Sequence, residues 1–433
     1  MKTILIEPFW RLFSDRSIPS DVIAFSLLVI FLPVVLITGP ALPDIFLSLV
    51  AFYFLIKSIL SKSWSYYKNP LVIGFLLFSL YGILRSLFYE APWQSLNNEG
   101  SLFYFRYIFF ALSIWYLLDH NPYLPKCLLA VSLLCLAVVC FDGLYQYLRG
   151  INLFGNSKHD TFRLTGFFGD EPIIGRYIAY LSIFTFALIY QSFPKTKTMM
   201  ILLVAFLVMG EVIVFLSGER APLLYLSLFT ILIVVFIPKY RMYRIVGVCA
   251  SVVIIYGILE INPTAKQRMM NHTLDQVSQT QLPFLPYSPH HEEHYITALK
   301  MFIDKPVFGV GTNAFRFQCD QNKYIYKERS CTSHPHHYYL QALAELGVIG
   351  FLVLCSFFFY LCFIGLRQFF FLIQSKQKKL IPFEFFLYPM ILFVYWWPLI
   401  PHMSLYNNWN NVFMMLPLGF FMRYLYRQPN GTT

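Results

Sequence analysis

Three histidines open the segment Ser333-His334-Pro335-His336-His337-Tyr338-Tyr339, just before a long apolar run. Histidine ionises near neutrality, so a group of them can accept a proton or bind a metal. The plainer reading is a polar helix start among lipid headgroups, with Tyr338 and Tyr339 as an interfacial aromatic belt. His336 and Gly347 are eleven residues apart. At about 100° per residue they share a face if one helix holds both. Gly347 and Gly350 would let that face approach a neighbour closely. A helix N-terminus disfavours imidazolium and favours an anion beside it. The spacing therefore predicts a neutral base, His336, with His337 as its alternate, next to an anion.

Two further clusters carry arginine. Ser217-Gly218-Glu219-Arg220-Ala221-Pro222 places Arg220 at a helix mouth, where a guanidinium can fork onto phosphate oxygens. The alternative is an ion pair with Glu219 or Glu211. Arg163-Leu164-Thr165-Gly166-Phe167-Phe168-Gly169-Asp170-Glu171-Pro172 offers Arg163 to phosphate or sugar, with Asp170 and Glu171 to position an acceptor or hold an arginine. Against this stands a plain turn with structural ion pairs. The run His290-His291-Glu292-Glu293-His294 looks metal-like, but it fails the His-Glu-x-x-His pattern in both registers, so a solvated helix start is expected. Cys319 and Cys331 lie in the same long loop and are candidates for a disulfide if that side is oxidising.

These clusters must be held by membrane helices. Of 433 residues, 58% are hydrophobic and only 13% charged, with mean hydropathy +0.58. A soluble domain carries about 25% charged residues. An ordinary cytosolic enzyme, a disordered chain and a nucleic-acid binder are excluded, despite the net charge of +11. The class is an all-α polytopic membrane protein with membrane lipids as neighbours. Apolar segments fall at about 21–38, 41–60, 70–90, 102–118, 126–147, 172–192, 198–216, 221–237, 243–260, 339–363, 381–400 and 408–424. Each is long enough for a crossing of about 20 residues, which predicts about twelve transmembrane helices. No cleavable leader is read in the first twenty residues, where Lys2, Glu7, Arg11, Asp15 and Arg16 are mixed with aromatics.

Lys and Arg alternate between connections. Lys57, Lys62, Lys68, Lys195, Lys197, Lys239, Arg241, Arg244, Arg367, Lys376, Lys378 and Lys379 fall on one side with both termini, while 39–40, 91–101 and 401–407 carry none. The bias predicts cytoplasmic termini. Three outer connections break it: 148–171, 217–220 and 261–338. Arg85, Arg106 and Arg176 also map near outer helix ends. Ionisable residues there are costly unless partnered, so a basic outer rim binding an anion is expected. The chain divides into 1–260 (helices one to nine with short loops), a loop domain 261–338 between helices nine and ten, and 339–433 (helices ten to twelve and a cytoplasmic tail). A loop that long should have its own structure. Ser288-Pro289 starts a predicted amphipathic helix ending at Lys305-Pro306, with Tyr295, Ile296, Leu299, Phe302 and Ile303 at helical spacing, lying on the membrane surface.

Taken in order, these residues resemble the O-antigen ligase family. Arg220 with Leu224 matches its R-x3-L pattern, and His336 with Gly347 its H-x10-G pattern. RLTGFFGDEP is similar to the family's Gly-x-Phe-Gly turn, although Asp170-Glu171 stands where Asn-Pro is common, and His337 where Asn is common. DKPVFGVGTNAF resembles its Pro-x-x-Gly-x-Gly segment. The resemblance covers most of the chain beyond residue 155. It implies a GT-C-type glycosyltransferase of the bacterial inner membrane, with its site facing the periplasm and no cofactor or metal. The donor would be a glycan on undecaprenyl diphosphate, and the acceptor lipid A-core or another glycan. His336 would activate the acceptor hydroxyl. Arg220 and Arg268, the latter chosen by position, would neutralise the diphosphate, and inversion would follow. Arg163, Arg176, His337, Asp170, Glu171 and Glu219 are the expected substrate-binding set. O-antigen polymerases and protein O-oligosaccharyltransferases share these signals. A lipid-linked sugar flippase should instead carry charge through its centre, whereas here the cations sit at one end.

Overall fold

A computed structural model describes residues 6–89, 95–96, 102–160, 162–280 and 288–427. The expected outer connection 91–101 lies outside the described residues apart from Ser95 and Leu96, as do Lys2 and the tail beyond 427. Each of the twelve apolar segments falls on a helix. In chain order the helices are α1 (Glu7–Ser14), which precedes the first apolar segment, α2 (Ser20–Ile30, continued by Leu32–Val35), α3 (Ala41–Leu60), α4 (Pro70–Leu87), α5 (Arg106–His120) and α6 (Leu124–Arg149). There follow α7 (Ile174–Ser192), α8 (Lys197–Leu216), α9 (Arg220–Phe236) and α10 (Arg241–Ile261). The long loop contributes α11 (His272–Ser278) and α12 (Pro289–Asp304), and the chain closes with α13 (Tyr338–Ile373), α14 (Phe383–Tyr395) and α15 (Asn408–Arg427). Among the described residues, regular structure outside helices is limited to one bridge between Ile151 and Ser157.

The sequence fixes several starts. Asn69 accepts from Leu71 N–H at 2.9 Å ahead of Pro70, Thr196 accepts from Met199 N–H at 3.2 Å, and Ser288 accepts from His291 N–H ahead of Pro289. Each side chain satisfies a donor that a helix start leaves open. Among the described residues, α3, α4, α6, α8, α10 and α13 are long and apolar enough to cross a membrane, and Ser20–Val35, α9 and α14 are shorter apolar helices. The chain is thus a polytopic helical membrane protein.

The core gathers around α5, α7, α14 and α15. Helix α15 packs along α5 and α14, and α7 along α6, α8, α9 and α14. Trp115, Tyr177, Tyr180, Tyr388 and Tyr395 are fully buried there. On α10 the apolar residues Val252, Val253 and Tyr256 are exposed, as a lipid-facing helix requires.

Two expectations change here. Helix α12 does not lie free on a surface. It docks on α13, burying Tyr295, Ala298 and Met301 together with Glu292, Glu293 and His294, while Ile303 stays exposed. Its buried stripe runs through the polar N-terminal turn, because those groups have partners: Glu293 accepts from Arg329 N–H at 2.9 Å. Nor do His336 and Gly347 share one helix face. The helix begins at Tyr338, and Gly347 interrupts it at φ 66°, ψ −164°.

Candidate active site

The turn between α8 and α9 is the anchor of the cationic part. Gly218 sits at φ +76°, and a Cβ there would lie 3.1 Å from the Phe162 carbonyl. Glycine is needed so that segment 162–166 can lie against the turn, where Leu164 N–H donates to Ser217 O at 3.1 Å. That contact brings Arg163 beside Gly218. Arg268 is carried by a π-helical turn, Gln267–Asn271, and donates from Nε to Gly218 O at 3.3 Å. Arg220 follows two residues after the glycine. Its Nη1 and Nη2 donate to Thr273 Oγ1 (3.1 Å) and Gln276 Oε1 (2.6 Å) of α11. Arg220 feels the charges of both Arg268 and Arg163. Burial and the Arg163 charge hold Arg268 below its ordinary value. Three guanidiniums therefore converge, with the carboxylates of Asp160 and Glu219 near enough to act on Arg268; three cations against two acids still favour a multiply charged anion.

Glu219 does not pair with Arg220. Its Oε1 accepts from Gly175 N–H at 2.6 Å, at the start of α7, and burial pushes it up to about 7 against the pull of Arg176. Glu211 accepts from Thr230 Oγ1 instead. Arg176 lies beneath, between the charges of Glu219 and the aromatic core, and its buried Nη1 has no hydrogen-bond partner among the described residues. Asp170 and Glu171 are exposed, and their carboxylates make no hydrogen bond or ion pair among the described residues. Nor is the outer rim one continuous site: Arg106 is spent on Asp44 at 2.6 Å and Asn408 at 2.9 Å.

The histidines form the second part. His337 is the N-cap of α13: one ring nitrogen, Nδ1, accepts from Leu340 N–H at 3.3 Å, and the other, Nε2, lies 2.8 Å from Pro398 O. Both nitrogens are occupied structurally. His336 takes the left-handed conformation, φ +55°, with its carbonyl held by His402 N–H at 2.9 Å. Its ring, half-buried, has no hydrogen-bond partner among the described residues. The rings of His334, His291 and His294 surround it at 4.2, 5.5 and 5.6 Å between centroids. Burial, then the charges of His294 and Arg176, push His336 down to about 4, so it is neutral at physiological pH. No group of three or more His, Cys, Asp or Glu among the described residues is placed to hold a metal ion.

Residues 202–355 match the family model Wzy_C, described as O-antigen ligase. That segment belongs to the O-antigen ligase family. No curated protein matches the chain. The Wzy_C segment takes in Arg220, Arg268, His336 and Gly347, whereas Arg163 and Arg176 reach the site from outside it.

Within the Wzy_C segment, loop 306–311 interlocks with the break in α13. Val310 and Gly311 N–H donate to Ala344 O and Glu345 O (2.8 and 3.0 Å), and Val348 N–H donates to Pro306 O (2.8 Å). A Cβ on Gly347 would collide with the Val307 carbonyl, and one on Gly309 with the Glu345 backbone. Both glycines are at positive φ, so both geometry and space require them. Buried Glu345 then accepts from Asn313 and Phe315 N–H at 3.2 and 3.1 Å. Cys319 and Cys331 are joined as a disulfide, with Cα atoms 4.8 Å apart, closing the loop that leads to His334.

Several supporting residues are silent in the sequence. Gln146 Oε1 accepts from Thr165 and Gly166 N–H, both at 2.9 Å, and so shapes the turn bearing Arg163. His291 and His294 were expected in solvent but face His336. His402 stacks on Tyr338 at 4.1 Å and is buried, with neither ring nitrogen partnered among the described residues. A lone histidine sixty-six residues after His336 gives no local signal. A cavity of about 1030 Å³ lies elsewhere, between α4, α5, α13, α14 and α15, and is lined mainly by apolar and aromatic side chains such as Phe75, Phe78, Phe357 and Leu418.

Proposed function

We propose that the protein is an O-antigen ligase, a GT-C-type transferase moving a glycan from undecaprenyl diphosphate to a lipid A-core acceptor. The neutral, unpartnered ring of His336, acted on by Arg176 and packed on His291, which in turn feels Arg220, is the observation that carries this reading. In the step, the acceptor oxygen bonds to the anomeric carbon from the face opposite the leaving group. The carbon–oxygen bond to the diphosphate breaks, its electron pair stays on the diphosphate, and configuration inverts. His336 takes the proton of the acceptor hydroxyl. Base assistance contributes typically 10²–10⁴-fold. The guanidiniums of Arg220 and Arg268 meet the charge that develops on the leaving oxygen, where preorganised donors are most effective. Arg163, with a buried Nε unpartnered among the described residues, and Arg176 hold the diphosphate or the first sugar. Glu219 holds the start of α7, which carries Arg176. His337 shapes the helix start and is not the base. The twelve helices cross the inner membrane with both termini cytoplasmic, so that the site opens to the periplasm.

Lipopolysaccharide from a deletion strain, and from strains complemented with wild type or His336→Ala, tests this on a gel. Loss of the whole core-attached ladder with polymer retained on the lipid carrier is expected for deletion and for His336→Ala. One repeat still attached to core means a polymerase, and an unchanged ladder means another acceptor, such as a protein.

A further inference from the structure

A second cationic pocket lies at the outer end of α4, separate from the guanidinium cluster around Gly218. Its volume is about 520 Å³, and its lining includes Arg85, Asp304, Lys305 and Lys323. The single acid is already matched: Asp304 Oδ2 takes Lys323 Nζ at 2.9 Å and Tyr324 Oη–H at 2.5 Å. Arg85 and Lys305 make no ion pair among the described residues, although the charge of Lys305 acts on Asp304. Arg85 is also pre-set. Its Nε and Nη2 donate to Phe308 O (2.9 Å) and Gly309 O (3.1 Å), which fixes the guanidinium plane and leaves Nη1 for a ligand. A donor fork oriented before binding loses less entropy on binding an anion.

The rim is apolar. Phe88 is 78% exposed and Phe308 52%, with Val307 and Ile303 exposed next to them. Phe88 directly follows the membrane-spanning helix Pro70–Leu87. Exposed aromatics beside unpaired cations at the end of a span fit the headgroup layer, where ring and charge are both satisfied. A soluble anion would need the cations but not the rim.

From this pairing of cations and apolar rim we infer that the pocket binds the phosphate of an amphiphile with a net negative headgroup in the outer leaflet of the same membrane, with Phe88 and Phe308 against its hydrocarbon. The inference rests on the outward orientation adopted above, and not on the transfer reaction. Its place in the fold gives it a consequence. Arg85 binds the same loop 306–309 that interlocks with Gly347 of α13, whose N-terminus follows His336 and His337 directly. A lipid phosphate on Arg85 thus sits on the loop that frames the break in α13.

The test uses purified full-length protein in detergent, titrated with short-chain phosphatidylglycerol, short-chain phosphatidylcholine and inorganic phosphate. Wild type should prefer phosphatidylglycerol to the zwitterionic lipid by roughly tenfold or more, since each basic residue near a headgroup adds to the attraction of an anionic lipid. Lys305→Glu, at an exposed position, should abolish the preference. Lys327→Glu, an equal charge change outside the pocket, should retain it. Phe308→Ser should weaken the lipid and leave inorganic phosphate unchanged. Equal binding of the two lipids, equal loss in both charge variants, or inorganic phosphate binding as tightly as the lipid would each overturn the inference. The readout needs no transfer, so a failed ligase reading and a failed lipid site are told apart.

Discussion

Two adjacent histidines have the same residue type and opposite duties. His337 spends both ring nitrogens on Leu340 N–H and Pro398 O, whereas the ring of His336 is unclaimed among the described residues. His337→Asn keeps an N-capping side chain, and its transfer rate should stay within about tenfold of wild type, since such caps interchange at small cost. His336→Ala should lose roughly 10²–10⁴-fold. In-membrane transfer assays on both variants check this, and equal losses would remove the distinction. The pH dependence follows from the surroundings of His336, which is faced by His291, His294, His334 and Arg176. Its pKa is lowered to about 4, so the ring is neutral and competent above that value and protonated as pH falls through it. The acid limb of kcat/KM should therefore centre near 4 rather than near the ordinary value of about 6.5. A limb at 6.5 would mean that His336 is solvated, or is not the base.

At the scale of elements, the break in α13 and loop 306–311 act as one interlocked joint. Gly347→Ala places a side chain at φ 66° and drives its Cβ into the Val307 carbonyl. Backbone strain of about 1–3 kcal/mol and overpacking of a similar size, about 1–3 kcal/mol, should lower the unfolding temperature clearly. Gly365→Ala, on the same helix with no atom within 4 Å of its Cβ, should be neutral or gain up to about 1 kcal/mol. Thermal unfolding of the two variants in detergent makes the comparison. If both melt like wild type, the joint does not hold the fold. Reading the eleven-residue spacing as one continuous face missed this joint. A periodicity of 3.6 assumes an unbroken helix, and only the approach of a distant loop shows that Gly347 breaks it.

For the whole molecule the open matter is sidedness. Alternating Lys and Arg predict that α11 and the connection after α13 lie on opposite sides. Ser278→Cys should react with a membrane-impermeant maleimide in intact spheroplasts, and Lys376→Cys only after permeabilisation. The reverse pattern would invert the topology and move the histidines to the cytoplasm. By itself the sequence determined the helical membrane class, the positions of the helices and the residue types at the mouths of α9 and α13. Apolar length, capping residues and charge bias are local, and a local signal survives without coordinates. What the tertiary structure decided was which of those residues meet. Arg163, Arg220 and Arg268 converge because Gly218 lets two segments touch. His291, His294 and His402 come to His336 from α12 and from the connection between α14 and α15. Asp170 and Glu171, seven and eight residues after Arg163, are left exposed. Contacts between residues about forty to a hundred positions apart depend on how helices pack, and no local pattern of residue types encodes that packing.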